Sequence, residues 1–142
     1  QPSVQLDSKG YYEVVVEIEN DNLFQNSINW LNTYYENPDK VLKGKIDSEY
    51  LRVSAKHREG NGIPAFDYTL EINLKPNKYR IRYQITELTA GGMTWKFSSY
   101  YKADGRLKKM NKNKVERIEA EVHSTLSNHF QYLMKSKEDN DW

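Results

Sequence analysis

Polar and apolar positions alternate along most of the first hundred residues, the signature of strands buried on one face. In the first such segment Tyr12, Val14, Val16 and Ile18 fall on one side, and Glu13, Val15 and Glu17 on the other. The period then changes. "NDNLFQ", residues 20–25, supplies Asn and Asp as helix N-caps, and Gln25 stands three residues after Asn22 as the second half of a capping box. The helix that follows runs to about Asn37, where Pro38 stops it. Along it Phe24, Ile28, Leu31 and Tyr35 form one line and Leu23, Ser27, Trp30 and Tyr34 the next, a wide apolar face that a sheet must cover. "INWLNTYYEN", residues 28–37, has the look of an aromatic binding patch; this spacing makes Trp30 the helix's anchor to the sheet and leaves only a tyrosine edge free.

Alternation returns after Pro38. "VLKGKI" points Leu42, Gly44 and Ile46 one way, and "YLRVSAKHR" points Leu51, Val53, Ala55 and His57 one way. "FDYTLEINL" sets Phe66, Tyr68, Leu70, Ile72 and Leu74 against Asp67, Thr69, Glu71 and Asn73. "YRIRYQI" sets Tyr79, Ile81, Tyr83 and Ile85 against Arg80, Arg82 and Gln84, and a less regular last strand spans about Met93 to Tyr101. Turn-forming clusters at Asp47–Glu49, Gly60–Pro64, "KPNK" and "AGG" separate them.

These segments predict registers. A turn at Ser48 and Glu49 sets Gly44 opposite Val53 and Lys45 opposite Arg52, and one at Pro76 and Asn77 sets Ile72 opposite Ile81 and Glu71 opposite Arg82. Closing the longer loop with His57 opposite Phe66 pairs Val53 with Leu70, Lys56 with Asp67 and Arg52 with Glu71. The polar face of a four-strand antiparallel meander then carries the row Arg52, Glu71, Arg82, alternating in sign.

"NKNKVERIEAEVHSTLSNHFQYLMKSK" is an amphipathic helix of about 24 residues, capped by Asn113 with Glu116, with Val115, Ile118, Val122, Leu126, His129 or Phe130, and Leu133 on one stripe. The order is strand, helix, four or five strands, helix. Both helices have one apolar stripe and the sheet one apolar face, so both helices stack on that face. The expected fold is an α+β two-layer sandwich in a single domain, 1–142, with its core over about 11–136 and flexible ends at 1–9 and 137–142.

Composition narrows the function classes. The 21 lysines and arginines against 20 acidic residues leave a net charge of +1, so no global field recruits nucleic acid or membrane. Cysteine is absent, which removes thiol catalysis, thiolate metal sites and disulfides. No apolar run approaches the roughly 20 residues of a membrane span. A chain beginning at Gln1 points to a removed upstream piece, either a secretory leader or a trimmed end.

The strand and helix order resembles the TATA-binding-protein-like (TBP-like) fold, a topology shared with helix-grip lipid-binding proteins. More narrowly, "LFQNSINWLNTYYENPDKVLKGKIDSEYLRVSAK" followed by "FDYTLEINLKPNKYRIRYQITEL" resembles a secreted bacterial family of unknown function with that fold. The resemblance spans about 12–135 and rests on the Trp30–Leu31 pair, Gly44 and Ile46, and the Tyr79–Tyr83 strand. It implies the fold and export to the periplasm or cell surface of Gram-negative bacteria, with no established activity; membrane attachment, as a lipoprotein, is a separate expectation that rests on the removed upstream piece. The resemblance supplies no catalytic residues.

Candidate chemistry is sparse. His123 and His129 are six apart and so on different helix faces, not at metal-pair spacing, and His57 ends a strand; all three fit surface or half-buried positions. "TAGGMTW" lacks the Lys-Ser/Thr of a phosphate loop and precedes a strand. No nucleophile elbow occurs. Nucleic-acid binding by the sheet requires a basic face with apolar wedges, whereas here Glu71, Asp67 and Glu13 interrupt the arginines. "GRLKKMNKNK", residues 105–114, is a basic run without aromatic interleaving, expected as a solvated loop. The expectation is thus a non-enzymatic exported domain with no cofactor, metal or nucleic acid, acting in the cell envelope on an unidentified protein or small molecule. The alternative is a carrier of a hydrophobic molecule between sheet and last helix, lined by Tyr68, Tyr79, Tyr83, Trp95 and Phe97. Tyr68, Tyr83, Trp95 and Phe97, with Arg52, Glu71 and Arg82 on the polar face, are the candidate contact residues.

Overall fold

The computed structural model describes residues 5–8 and 10–140, and side chains over 10–136. Strands β1 (Gln5–Ser8) and β2 (Tyr11–Glu17) lead into helix α1 (Leu23–Tyr34) and a single turn α2 (Pro38–Val41). The meander follows: β3 (Leu42–Ile46), β4 (Tyr50–His57), β5 (Ala65–Lys75), β6 (Lys78–Ala90) and β7 (Met93–Lys96). Two 3-10 turns, Phe97–Tyr100 and Lys109–Asn111, precede the long helix α3 (Lys112–Asn140). The antiparallel sheet has the order β1-β2-β6-β5-β4-β3. β5 occupies one edge of β6 throughout; β2 takes the first half of the other edge and β7 the second.

Alternation decides which face is covered. Tyr12, Val14 and Val16 of β2, Leu51 and Val53 of β4, Phe66 to Leu74 at every second residue of β5, and Tyr79, Ile81, Tyr83 and Ile85 of β6 are all buried. Leu23, Trp30 and Leu31 of α1 and Val115, Ile118, Val122, Leu126 and Leu133 of α3 close over them. Both helices lie on this inner face, as the one-sided patterning requires.

The registers of β4, β5 and β6 are as expected: His57 opposite Phe66, Arg52 opposite Glu71, Glu71 opposite Arg82. The β3–β4 register is not. The turn uses three residues, 47–49, with Ser48 in the left-handed region at φ 69°, so Gly44 faces Arg52 and Lys45 faces Leu51. One extra turn residue flips the strand end, and Ile46, expected on the apolar side, is 55 % exposed on the outer face. A bulge at Lys43 then sets Leu42, not the expected Gly44, opposite Val53.

Four local expectations need correcting at helix and strand ends. Asn22 is the N-cap of α1 but makes no side-chain cap bond; Asn20 Oδ1 instead accepts the Asn22 N–H at 2.8 Å. The helix stops at Tyr34, and Pro38, expected to terminate it, occupies the first turn of α2, where its missing N–H costs nothing. α3 starts at Lys112 and runs 29 residues, so Asn113 sits inside its first turn and cannot cap. The last strand ends at Lys96, and Phe97–Tyr100 turns into the core. At the amino end, residues 5–8, expected to be loose, add the edge strand β1; residues 1–4, 9, 141 and 142 lie outside the described residues.

Candidate functional site

Of the five rings expected to line a carrier gap, Tyr68, Tyr79, Tyr83 and Phe97 are committed to the core. Tyr68 and Tyr83 stack at 4.4 Å between centroids, and Tyr68 and Tyr35 share a hydrogen bond of 2.7 Å between hydroxyls. Burial pushes the Tyr68 phenol up to about 12 and holds Tyr35 and Tyr83 neutral well above their ordinary value. Tyr35 and Tyr68 are thus a hydrogen-bonded strut and Tyr83 a packing ring, all poorly suited to proton transfer near neutral pH. Phe97, 1 % exposed, packs its ring edge against Gly10, where a Cβ would lie 2.8 Å from Cδ2; the glycine's φ of 76° also belongs to the turn between β1 and β2. Trp95 is half-buried at the sheet's end and donates its indole N–H to Tyr100 Oη at 3.0 Å.

His129, expected at a surface or half-buried position, is fully buried. Its Nε2 lies 3.0 Å from Ser27 Oγ, and the Trp30 and Tyr79 rings meet its ring edge-on. A serine and a histidine thus touch, but both are sealed from solvent, so no substrate reaches them. The signal was present: position 129 falls on the apolar stripe of α3. His57 stacks on Phe66 and pairs with Glu121 at 3.2 Å, while His123 is exposed. Among the described residues no cluster of three His, Cys, Asp or Glu is arranged to hold a metal, and no helix is long and apolar enough to cross a membrane.

The outer sheet face is different in kind. Two transverse rows cross it. In one, Arg52, Glu71, Arg82 and Glu13 are successive cross-strand partners, alternating in sign. In the other, Ile46, Tyr50, Asn73, Arg80 and Val15 follow one another, apolar at both ends and polar in the middle. The side chains hold one another in place. Tyr50 Oη donates to Glu71 at 2.5 Å, and burial together with that bond pushes the phenol up to about 12. Arg80 donates to Asn73 Oδ1 at 3.1 Å, and Arg82 lies over the Tyr11 ring. Glu13 sits between two guanidiniums, 3.8 Å from Arg80 Nε and 3.7 Å from Arg82 Nε. From one end of these rows toward the β5–β6 turn the face forms a concavity of about 740 Å³ lined by Glu13, Val15, Asn73, Arg80, Ser48 and Glu49 among others.

The candidate residues therefore separate. Arg52, Glu71 and Arg82 share the outer face, whereas Tyr68, Tyr83 and Phe97 lie on the inner one and Trp95 at its rim. Sequence alone missed Tyr50, Asn73 and Arg80 as partners of the charged row. Strand parity placed them on the correct face, but the β2–β6 pairing that brings Glu13 to Arg80 and Arg82 joins segments about seventy residues apart and leaves no local trace.

No protein-family model matches the chain, and no curated protein does. Solved structures do. A TBP-like protein from Parabacteroides distasonis superimposes with a TM-score of 0.67, over 92 % of this chain and 96 % of that one, at 18 % identity. A DUF4468 family protein from Bacteroides ovatus superimposes at 0.68, over 91 % and 88 %, at 8 % identity. The fold is TBP-like. Identities this low carry the architecture and nothing about ligands. On this TBP-like sheet the charged face is a feature of the present chain's own side chains.

Glu13 is the hub of that face. Its neighbours' Nε atoms are beyond hydrogen-bond reach, so the attraction is Coulombic, among side chains 23 to 39 % exposed. Glu13→Ala is expected to cost about 1 kcal/mol in urea unfolding at low salt, with the loss shrinking as salt is added. An unchanged midpoint at low salt rejects the hub role.

Proposed function

We propose that the protein is a non-enzymatic binding domain of the bacterial cell envelope, exported, and that it engages a protein partner through the outer face of its sheet. The observation that carries this reading is the row Ile46–Tyr50–Asn73–Arg80–Val15 beside the alternating row of charges. Exposed apolar side chains flank ordered hydrogen-bonding groups over a concave surface, which is how protein recognition surfaces combine contact area with specificity. The perturbed ionisable groups also favour binding over catalysis. The largest shifts belong to core tyrosines and to His129, each caused first by burial, and none of these groups faces the concavity apart from the edge of Tyr79. The carrier alternative has less support, because it requires Tyr68, Tyr83 and Phe97 to part from contacts that leave them 1 to 6 % exposed.

A photo-crosslinking amino acid at Asn73 is expected to yield one discrete adduct in envelope fractions of the native host. The same probe at Ser124, exposed on α3, is expected to yield none, and Arg82→Glu is expected to suppress the Asn73 adduct. Recovery of the protein in the cytoplasm, or equal labelling from both sites, rejects the reading.

A further inference from the structure

One end of the molecule gathers positive charge and exposed apolar side chains that the core does not use. Residues 93–117 carry eight lysines and arginines against Asp104 and Glu116, in a chain whose net charge is +1. The fold draws this stretch together. Tyr101 pairs with Leu107, the Lys108 N–H donates to the Tyr100 carbonyl at 2.9 Å, and Trp95 reaches the Tyr100 hydroxyl. Trp95 in turn shares a groove of about 330 Å³ with Lys114, in the first turn of α3. The two most exposed large apolar side chains among the described residues, Met93 at 70 % and Met110 at 88 %, both belong to this stretch. Met93 and Trp95 lie on the same side of β7, the side that faces the start of α3.

Neither methionine contributes to the core, and the lysines are placed where they repel. Lys112 and Lys114 stand in the first turn of α3, at the positive end of the helix dipole, and that turn has no acidic residue. An anionic surface relieves both the repulsion and the exposure. We propose that this end of the molecule docks reversibly on an anionic lipid bilayer, with its lysines against the headgroups and Met93, Met110 and the Trp95 rim in the interfacial layer. Lipid fits better than nucleic acid. Six of the eight cations are lysines, point charges without the planar fork that reads bases, and the most exposed apolar groups are thioether chains, not rings on which bases stack. Asp104 pairs with Arg106 at 2.8 Å, Glu87 stands opposite Lys96, and Glu59, in the same groove, and Glu116 thin the field further, so Lys108, Lys109, Lys112 and Lys114 are its centre. This surface is separate from the outer sheet face, so either can fail without the other.

Vesicle flotation tests the proposal. The full chain is expected to float with phosphatidylcholine vesicles containing about 30 % phosphatidylglycerol and not with phosphatidylcholine alone, the binding weakening as salt rises from about 50 to about 300 mM. Lys109→Glu combined with Lys112→Glu is expected to lower the affinity at least about tenfold. Met93→Ser combined with Met110→Ser is expected to lower it about three- to tenfold with the salt dependence kept, at positions exposed enough to leave thermal unfolding unchanged. Absence of phosphatidylglycerol binding at low salt overturns the proposal. So does binding that the methionine pair leaves untouched, or equal affinity for a single-stranded oligonucleotide, since either marks a site for polyanions in general.

Discussion

Replacing Trp30 by alanine is expected to destabilise the protein by about 3–5 kcal/mol and to lower its unfolding temperature by about 10–15 °C. Trp30 is wholly buried, stacked on Tyr34 at 4.9 Å and met edge-on by Tyr35 and His129. Its indole N–H donates to Asn128 Oδ1 at 2.8 Å, so one side chain ties α1 to α3 above the sheet. Alanine removes the ring and leaves a void between three elements that cannot all collapse into it. Trp30→Phe separates the contributions: it keeps most of the packing, loses the hydrogen bond, and should cost about 1–2 kcal/mol. Urea unfolding of the two variants gives both numbers. A near-zero loss for alanine restores the aromatic segment to the status of a surface patch, against the exposure seen here.

The legible part of the fold was the part governed by period and by short connections. Period-two alternation placed Tyr68, Leu70, Ile72, Tyr79, Ile81 and Tyr83 on one face, and the two-residue Pro76–Asn77 turn set Glu71 opposite Arg82. Asn77 takes the left-handed conformation that such a turn demands, with φ 62°. Where a connection had one residue more than assumed, at 47–49, parity failed and Ile46 changed face. Caps failed for another reason. Asn22 and Asn113 have the right chemistry three residues before Gln25 and Glu116, but Asn20 supplies the α1 bond and a 3-10 turn feeds α3, alternatives that spacing alone does not distinguish.

The candidate site was half legible. Arg52, Glu71 and Arg82 were correctly aligned because meander neighbours are close in sequence. Glu13 joins them through strands far apart, and the basic run 105–114 is solvated as expected, with Trp95, which shares a groove with Lys114, coming from a different hairpin. Covering only one side of the sheet has a further consequence. The inner face is covered by the helices, so apart from Tyr34 on α1 the exposed large apolar side chains, Val15, Ile46, Met93 and Met110, lie on the polar face and at the ends.

Stability is expected to fall on acidification well before the carboxylates titrate, by about 1.4 kcal/mol per pH unit below about pH 6. The cause is His129. Burial pushes its pKa down to about 3, and its contacts are the Ser27 hydroxyl and the Trp30 and Tyr79 rings, none of which offsets an imidazolium charge. The native state therefore holds the ring neutral, while the unfolded chain protonates it near its ordinary 6.5. The unfolded state binds the extra proton, so the contribution of this group is complete above about pH 6.5 and is lost as pH falls toward 3. Ser27→Ala combined with His129→Leu removes the titrating ring and its partner together, a replacement of two bonded polar groups by apolar ones that is close to neutral in stability at pH 8. Every other ionisable group is shared, so the difference between the two proteins isolates one proton. Urea midpoints measured from pH 8 to pH 5 should diverge below about pH 6.5, wild type falling faster. Parallel curves would mean that His129 accepts its proton within the native fold, which requires the α1–α3 seam to open at that ring.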